Sequence, residues 1–156
     1  METLPVVHST FVIERNFHLR PERVFDFFSD PAKKRRWFAE GAHDIEEFSS
    51  DFRVGGIDLL QYRLDESTPF KGATLTNHGT YQEIVPNRRI VTGSTMAING
   101  KCISASLVTF EFVPTDAGTD LICTHQGAFF EGSDGPQMRE AGWRTLLDKL
   151  AAESIR

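Results

Sequence analysis

The sequence predicts an α+β fold of the helix-grip kind. A curved, seven-stranded antiparallel sheet wraps around one long carboxy-terminal helix, and two short helices follow the first strand. Three observations carry this. Residues 44–130 run as short alternating stretches separated by turn residues, and Gly142-Trp143-Arg144-Thr145-Leu146-Leu147-Asp148-Lys149-Leu150 is amphipathic at helical spacing. Between β-like stretches, Asp51-Phe52-Arg53-Val54-Gly55-Gly56 reads as a tight turn or bulge. Two short helices cannot cover the inner face of seven strands, so the long helix must pack across it, and the usual product is a cavity.

Residues 9–17 are β-branched and aromatic, hence a first strand. Pro21 opens a short helix that carries Val24, Phe25 and Phe28 at helical spacing. Asp30-Pro31 supplies an N-cap and a first-turn proline for a second helix ending near Phe38, which Gly41 closes. Strands are predicted at 45–48, 58–64, 73–85, 88–97, 102–113 and 119–130. Their connectors, Pro86-Asn87, Asn99-Gly100 and Asp116-Ala117-Gly118, suit an antiparallel meander. Ser133-Asp134-Gly135-Pro136 supplies start signals for the last helix. Its apolar stripe is Trp143, Leu147, Leu150 and Ser154, with Leu146 and Ile155 beside it.

Composition narrows the function classes. The 156 residues suit one domain, and 40% hydrophobic with 25% charged residues is ordinary for a globular chain. Thirteen phenylalanines imply an aromatic core. A net charge of −5 argues against a nucleic-acid partner. The Lys33-Lys34-Arg35-Arg36 run reads as a solvated helix end complementing the helix dipole. No apolar run approaches the ~18 residues of a membrane span, and no basic-then-apolar leader is visible. Those two readings set the expectation of a cytoplasmic protein without a membrane partner. Cys102 and Cys123 sit too far apart on paired strands to bridge and read as buried free thiols. The histidines are scattered singly and no Cys-x-x-Cys occurs, so no metal and no cofactor is expected.

The segment from Phe25 to Asp30-Pro31, Trp37, the Asp51–Gly56 element, Gly79-Thr80-Tyr81, Pro86-Asn87-Arg88-Arg89-Ile90 and Gly142-Trp143 through Leu150 resemble the domain named for activators of the heat-shock-protein-ninety ATPase. That family belongs to the START-like, or birch-pollen-allergen-like, superfamily, and the similarity covers roughly residues 9–155. The resemblance implies the helix-grip fold. In function it implies several classes, since superfamily members bind lipids, hormones and polyketides and some are cyclases or hydrolases. The resemblance is to the carboxy-terminal type of domain of the eukaryotic activators, and it implies a small stand-alone member of the bacterial kind. A chaperone contact is implied by the family name alone.

Strand parity assigns the inner face. Val108, Phe110 and Phe112 share it with Ser106, Ser104 and Cys102. Pairing of Val108 with His125 adds Leu121, Cys123 and His125, and parity adds Ile90, Thr92, Ser94, Met96, Asp58, Leu60 and Tyr62. A bulge at Gly55-Gly56 would flip Asp58. The candidate ligand-binding set is Trp37, Asp58, Tyr62, Tyr81, Thr92, Met96, Ser104, Ser106, Phe110, His125 and Trp143. Apolar walls with a few convergent polar groups suit a small hydrophobic or aromatic ligand.

His125 and Asp58 are the catalytic candidates, because a carboxylate that fixes the imidazole tautomer would make an acid–base pair; Tyr62 is the other possible partner. Each has a plain alternative: an interior histidine, an exposed turn aspartate, small strand serines, core tryptophans. The readings left open are a binding module, a cyclase- or hydrolase-type enzyme, and a chaperone-activating interaction protein. A homodimer through a sheet edge or the cavity mouth is compatible with all three.

Overall fold

The computed structural model describes residues 5–41, 43–65 and 69–156. Its elements are β1 (Val7–Phe17), α1 (Pro21–Ser29), α2 (Pro31–Lys34), a π-helical turn (Arg35–Ala39), β2 (Asp44–Ser50), β3 (Ile57–Arg63), β4 (Thr74–Val85), β5 (Arg89–Ile98), β6 (Lys101–Pro114), β7 (Thr119–Phe129) and α3 (Pro136–Ser154). The seven strands form one antiparallel sheet in the order β1-β7-β6-β5-β4-β3-β2. The meander from β2 to β7 is therefore as predicted, and β1 closes beside β7.

Local chemistry explains the starts and turns. Asp30 caps α2 by accepting a hydrogen bond from the Ala32 amide at 2.9 Å. Asn87 and Asn99 take positive φ in their hairpins, which asparagine tolerates. Helix α2 continues as a π turn, closed by the Glu40 amide donating to the Arg35 carbonyl, a local widening often found near functional sites. Helix α3 starts at Pro136 after Gly135, whose φ of 84° favours glycine. Asp134 does not cap it, because both carboxylate oxygens accept from Arg139.

The Asp51–Gly56 element now has a physical account. Its backbone extends the ladder to β4: the Gly55 amide donates to the Tyr81 carbonyl and the Tyr81 amide to the Gly56 carbonyl. Phe52 packs edge-on against Phe25 and Tyr81, with ring centroids 5.6 and 5.1 Å away. A Cβ on Gly56 would stand 1.9 Å from the Asp51 carbonyl oxygen. The turn leaves β3 in phase, so Asp58 faces inward.

The core is aromatic, as the phenylalanine count implies. Phe28 meets Trp37, Phe110 and Phe112 at 4.8 to 5.2 Å, and Leu147 and Leu150 of α3 are fully buried in the same cluster.

Three expectations need correction. A bulge in β6 pairs Met96 with Ser104 but Ala97 with Cys102, leaving Ile103 as the extra residue. The phase flips there, so Ile103 is buried while Cys102 is exposed, and only Cys123 is a buried thiol. Ile155 leaves the α3 stripe because the helix ends at Ser154, and it is exposed. Lys34 is no solvated helix end: it is buried, whereas Arg36 in the same run is exposed.

Among the described residues no helix is long and apolar enough to cross a membrane. We expect Gly56→Ala to destabilise the fold by about 2 kcal/mol or more, because the backbone must move to admit the methyl group. Gly55→Ala, at φ 84° with open space around it, should cost only about 1 kcal/mol. Urea denaturation of the two variants checks the order; equal costs would contradict this account of the turn.

Candidate functional site

The sheet, α3 and the segment Phe38–Gly41 border a half-open cavity of about 510 Å³. Leu60, Tyr62 and Leu64 from the β3 region, Leu75 and Asn77 from β4, and Met96 and Ile98 from β5 form its floor. Met138, Arg139, Gly142, Trp143 and Leu146 of α3 form its roof, and Phe38–Gly41 closes one side. The lining is chiefly apolar. Its polar members include Glu40, His43, Asp134 and Lys149. A second pocket of about 30 Å³ adjoins it and shares Phe38, Asn77 and Trp143 as walls. Trp37, Asp58, Gly79, Thr92, Ser94 and Phe110 are among its other walls.

Lys34 defines the polar side of the smaller pocket. Its Nζ donates to Asp58 Oδ2 at 2.5 Å and to the Tyr81 hydroxyl at 3.2 Å, and Tyr81 meets Ser50 Oγ at 2.7 Å. Burial opposes the charge on Lys34, but the Asp58 carboxylate and the Tyr81 oxygen outweigh it and hold the pKa above the usual lysine value. Burial raises the Tyr81 pKa, with Lys34 pulling the other way. Asp58 Oδ1 is buried and has no hydrogen-bond partner among the described residues.

A second buried pair borders the large cavity. Arg139 donates from Nε and Nη2 to Asp134 at 2.8 Å each, and from Nη2 to Ser104 Oγ at 2.9 Å. Its guanidinium lies 5.0 Å from the Phe129 ring centroid. Burial works to raise the Asp134 pKa, yet the Arg139 bonds prevail and lower it. At the cavity edge the Lys149 ammonium donates to the Glu40 carbonyl, and burial lowers its pKa. His43 stacks on Tyr62 with ring centroids 4.9 Å apart, and its Nδ1 lies 3.3 Å from Asp65 without hydrogen-bond geometry. Burial raises the Tyr62 pKa, with Arg139 opposing.

The structure distributes the sequence candidates unevenly. Tyr62 and Met96 line the large cavity; Trp37, Asp58, Thr92 and Phe110 line the small one; Trp143 borders both. Tyr81 reaches the small pocket only through Lys34, and Ser104 is tied to Arg139. Ser106 lies elsewhere, in a shallow groove over β1, β6 and β7.

The His125–Asp58 pair does not form. β7 and β3 stand four strand spacings apart in the sheet, roughly 19 Å at ~4.8 Å each, and Asp58 is committed to Lys34. His125 lines neither cavity. Its ring stacks on Phe11 at 4.6 Å and lies 6.4 Å from Trp143, and its Nδ1 has no partner among the described residues. The Tyr62 alternative fares no better, since that ring stacks on His43.

Sequence reasoning missed Lys34 and Arg139. Both signals were present. Lys34 stands three residues before the buried Trp37, and Arg139 stands four before Trp143, extending the α3 stripe by one turn.

Two outcomes are expected. Asp58→Ala leaves the Lys34 charge buried and unpaired, at a cost of about 3–5 kcal/mol, whereas the double variant Lys34→Met/Asp58→Leu costs much less; chemical denaturation of both checks the difference. Burial, with help from the Arg139 charge, lowers the His125 pKa from 6.5 to about 4. The unfolded chain therefore binds a proton that the folded one refuses between those pH values. Stability is fully present above pH 6.5 and falls by about 3 kcal/mol on going down to pH 4. Denaturation midpoints across that window should show a slope that His125→Leu reduces; an unchanged slope would exclude His125 as its source.

Comparison with known proteins places the architecture. The protein Mll3558 from Rhizobium loti is 45% identical, covering 96% of this chain and 99% of its own, with a TM-score of 0.84. A putative uncharacterized protein from Rhizobium leguminosarum is 31% identical over 99% of both chains, with a TM-score of 0.90. The AHSA1 (SPO3351) protein from Silicibacter pomeroyi, 23% identical over 93% of this chain and 96% of its own, shares the fold with a TM-score of 0.71. No curated protein matches the chain at a significant level. The curved antiparallel sheet around α3 is the START-like helix-grip fold. Residues 18–154 match the Activator of Hsp90 ATPase homolog 1-like proteins, and the chain belongs to that family.

Proposed function

We propose that this protein is a binding module for a small hydrophobic or aromatic molecule held between the sheet and α3. The observation that carries the reading is the cavity itself. Its volume of about 510 Å³ falls in the range of small-molecule sites, and its walls are chiefly apolar with a few fixed polar groups. Hiding about 200 Å² of apolar ligand surface there supplies about 5 kcal/mol of gross driving force.

The charges on the lining favour a neutral ligand. Glu40 and Asp134 balance Lys149 and Arg139, and Arg139 is already engaged by Asp134. Gly142 adds a steric argument. It lies inside α3 and lines the cavity, and a Cβ there would meet nothing within 4 Å. A helix-interior glycine costs about 0.5–1 kcal/mol relative to alanine, and among the described residues no atom crowds this exposed position. A ligand lying against the helix backbone supplies the missing reason. Catalysis through His125 has no comparable support, because the imidazole lines neither pocket and has no carboxylate hydrogen-bonded to it among the described residues.

Native mass spectrometry of the protein purified from its own host should reveal a bound small molecule, and Gly142→Leu should lose it while remaining folded. Gly142→Ala should raise the unfolding free energy by about 0.5–1 kcal/mol. A bare wild-type mass together with no thermal shift from any apolar aromatic probe would contradict the reading.

A further inference from the structure

Asp58 is a carboxylate with one oxygen in use. Its side chain is 10% exposed, Oδ2 accepts from Lys34, and Oδ1 is buried without a partner among the described residues. A buried acceptor left unsatisfied is costly and marks a place where something else donates. Asp58 is among the walls of the 30 Å³ pocket, and Thr92, Ser94 and Asn77 are further polar residues around it. That volume admits about one water-sized group. The pocket shares Phe38, Asn77 and Trp143 with the large cavity, so a group bound in the one adjoins a body bound in the other.

We propose that Asp58 Oδ1 and the small pocket form the head-group subsite of the ligand site, and that it recognises a neutral hydroxyl, as on a phenol or an alcohol with an apolar body. This rests on the binding-module reading and specifies its ligand class. The group must donate a hydrogen bond, because the orphan atom is an acceptor. It must be small, which rejects carboxylates and phosphates. It must also be uncharged. The Lys34–Asp58 pair carries no net charge, so an ammonium would face the Lys34 ammonium across a buried pocket, and an anion would face the carboxylate. A hydroxyl donates to Oδ1 and still accepts a hydrogen bond from Asn77, Thr92 or Ser94.

The test uses three probes of one shape: 4-pentylphenol, its methyl ether 4-pentylanisole, and 4-pentylbenzylamine, titrated calorimetrically into the full chain at pH 7. Both the phenol and the ether should bind, with the phenol at least about tenfold tighter and the amine weakest. Lys34→Met/Asp58→Leu, which removes both charges and preserves packing, should bring the phenol and ether within about twofold of each other. Ser94→Val, which fills the pocket and spares the ion pair, should do the same and covers the case in which the double variant does not fold. Equal affinities in the wild type, a preference that survives both substitutions, or the amine binding tightest would each overturn the subsite while leaving the cavity reading in place. If neither phenol nor ether binds, both readings fall.

Discussion

The rest of the structure follows from a mismatch of areas. Seven strands at ~4.8 Å spacing present a face roughly 29 Å wide. One 19-residue helix is about 28 Å long but only ~10–12 Å across. Helix α3 therefore cannot cover the whole inner face. It packs closely beside β1 and the π turn, and α1 takes the area over β6. What remains is the face of β3, β4 and the adjoining end of β5, and there the cavity lies. The space is a geometric consequence of strand number and helix count, so its position is fixed by topology and its chemistry by the side chains that happen to point there.

Two side chains bordering the pockets are buried cations, Arg139 at the large one and Lys34 at the small one, and each ties a helix to the sheet. Lys34 links α2 to Asp58 of β3 and Tyr81 of β4, while Arg139 links α3 to Ser104 of β6 through the same guanidinium that holds Asp134. Burying such pairs brings little net stability, because desolvation offsets most of the attraction. What they supply is direction, since an ammonium with a fixed carboxylate partner sets where a helix sits along a strand. The two pairs are unequal in one respect. Both Asp134 oxygens are satisfied, by Arg139 and Ser133, whereas Asp58 keeps one oxygen unmatched among the described residues.

Much of this was legible in the sequence. Turn residues and periodicity located all seven strands and the terminal helix, because hairpin connections and a period of two are local properties. The Val108–His125 register was legible for the same reason, through the Pro114–Gly118 turn. Cys102 was misplaced because a single extra residue at Ile103 reverses the phase and leaves no compositional mark. Lys34 was misread because a run of four cations looks solvated, and only the packing of Trp37 reveals that one of them turns inward. The His125–Asp58 pair was a different failure. The meander order already put their strands four apart, so the distance was available before any side chain was placed.

Helix α3 carries the remaining consequence. Its carboxy-terminal half buries Leu147 and Leu150 completely in the aromatic core, while its amino-terminal half stands over open space at Gly142 and exposes Met138. The half over the cavity is held by Arg139, tied to Asp134 and Ser104, and by Trp143, which is buried in the aromatic cluster, while Lys149 of the other half donates to the Glu40 carbonyl. Regions with few buried apolar contacts open at lower free energy than packed ones. The amino-terminal half reaches the core cluster through Trp143, whereas the other half does so through Leu147 and Leu150 with Leu146 and Ala151 packed against them, so the amino-terminal half is the more sparsely packed.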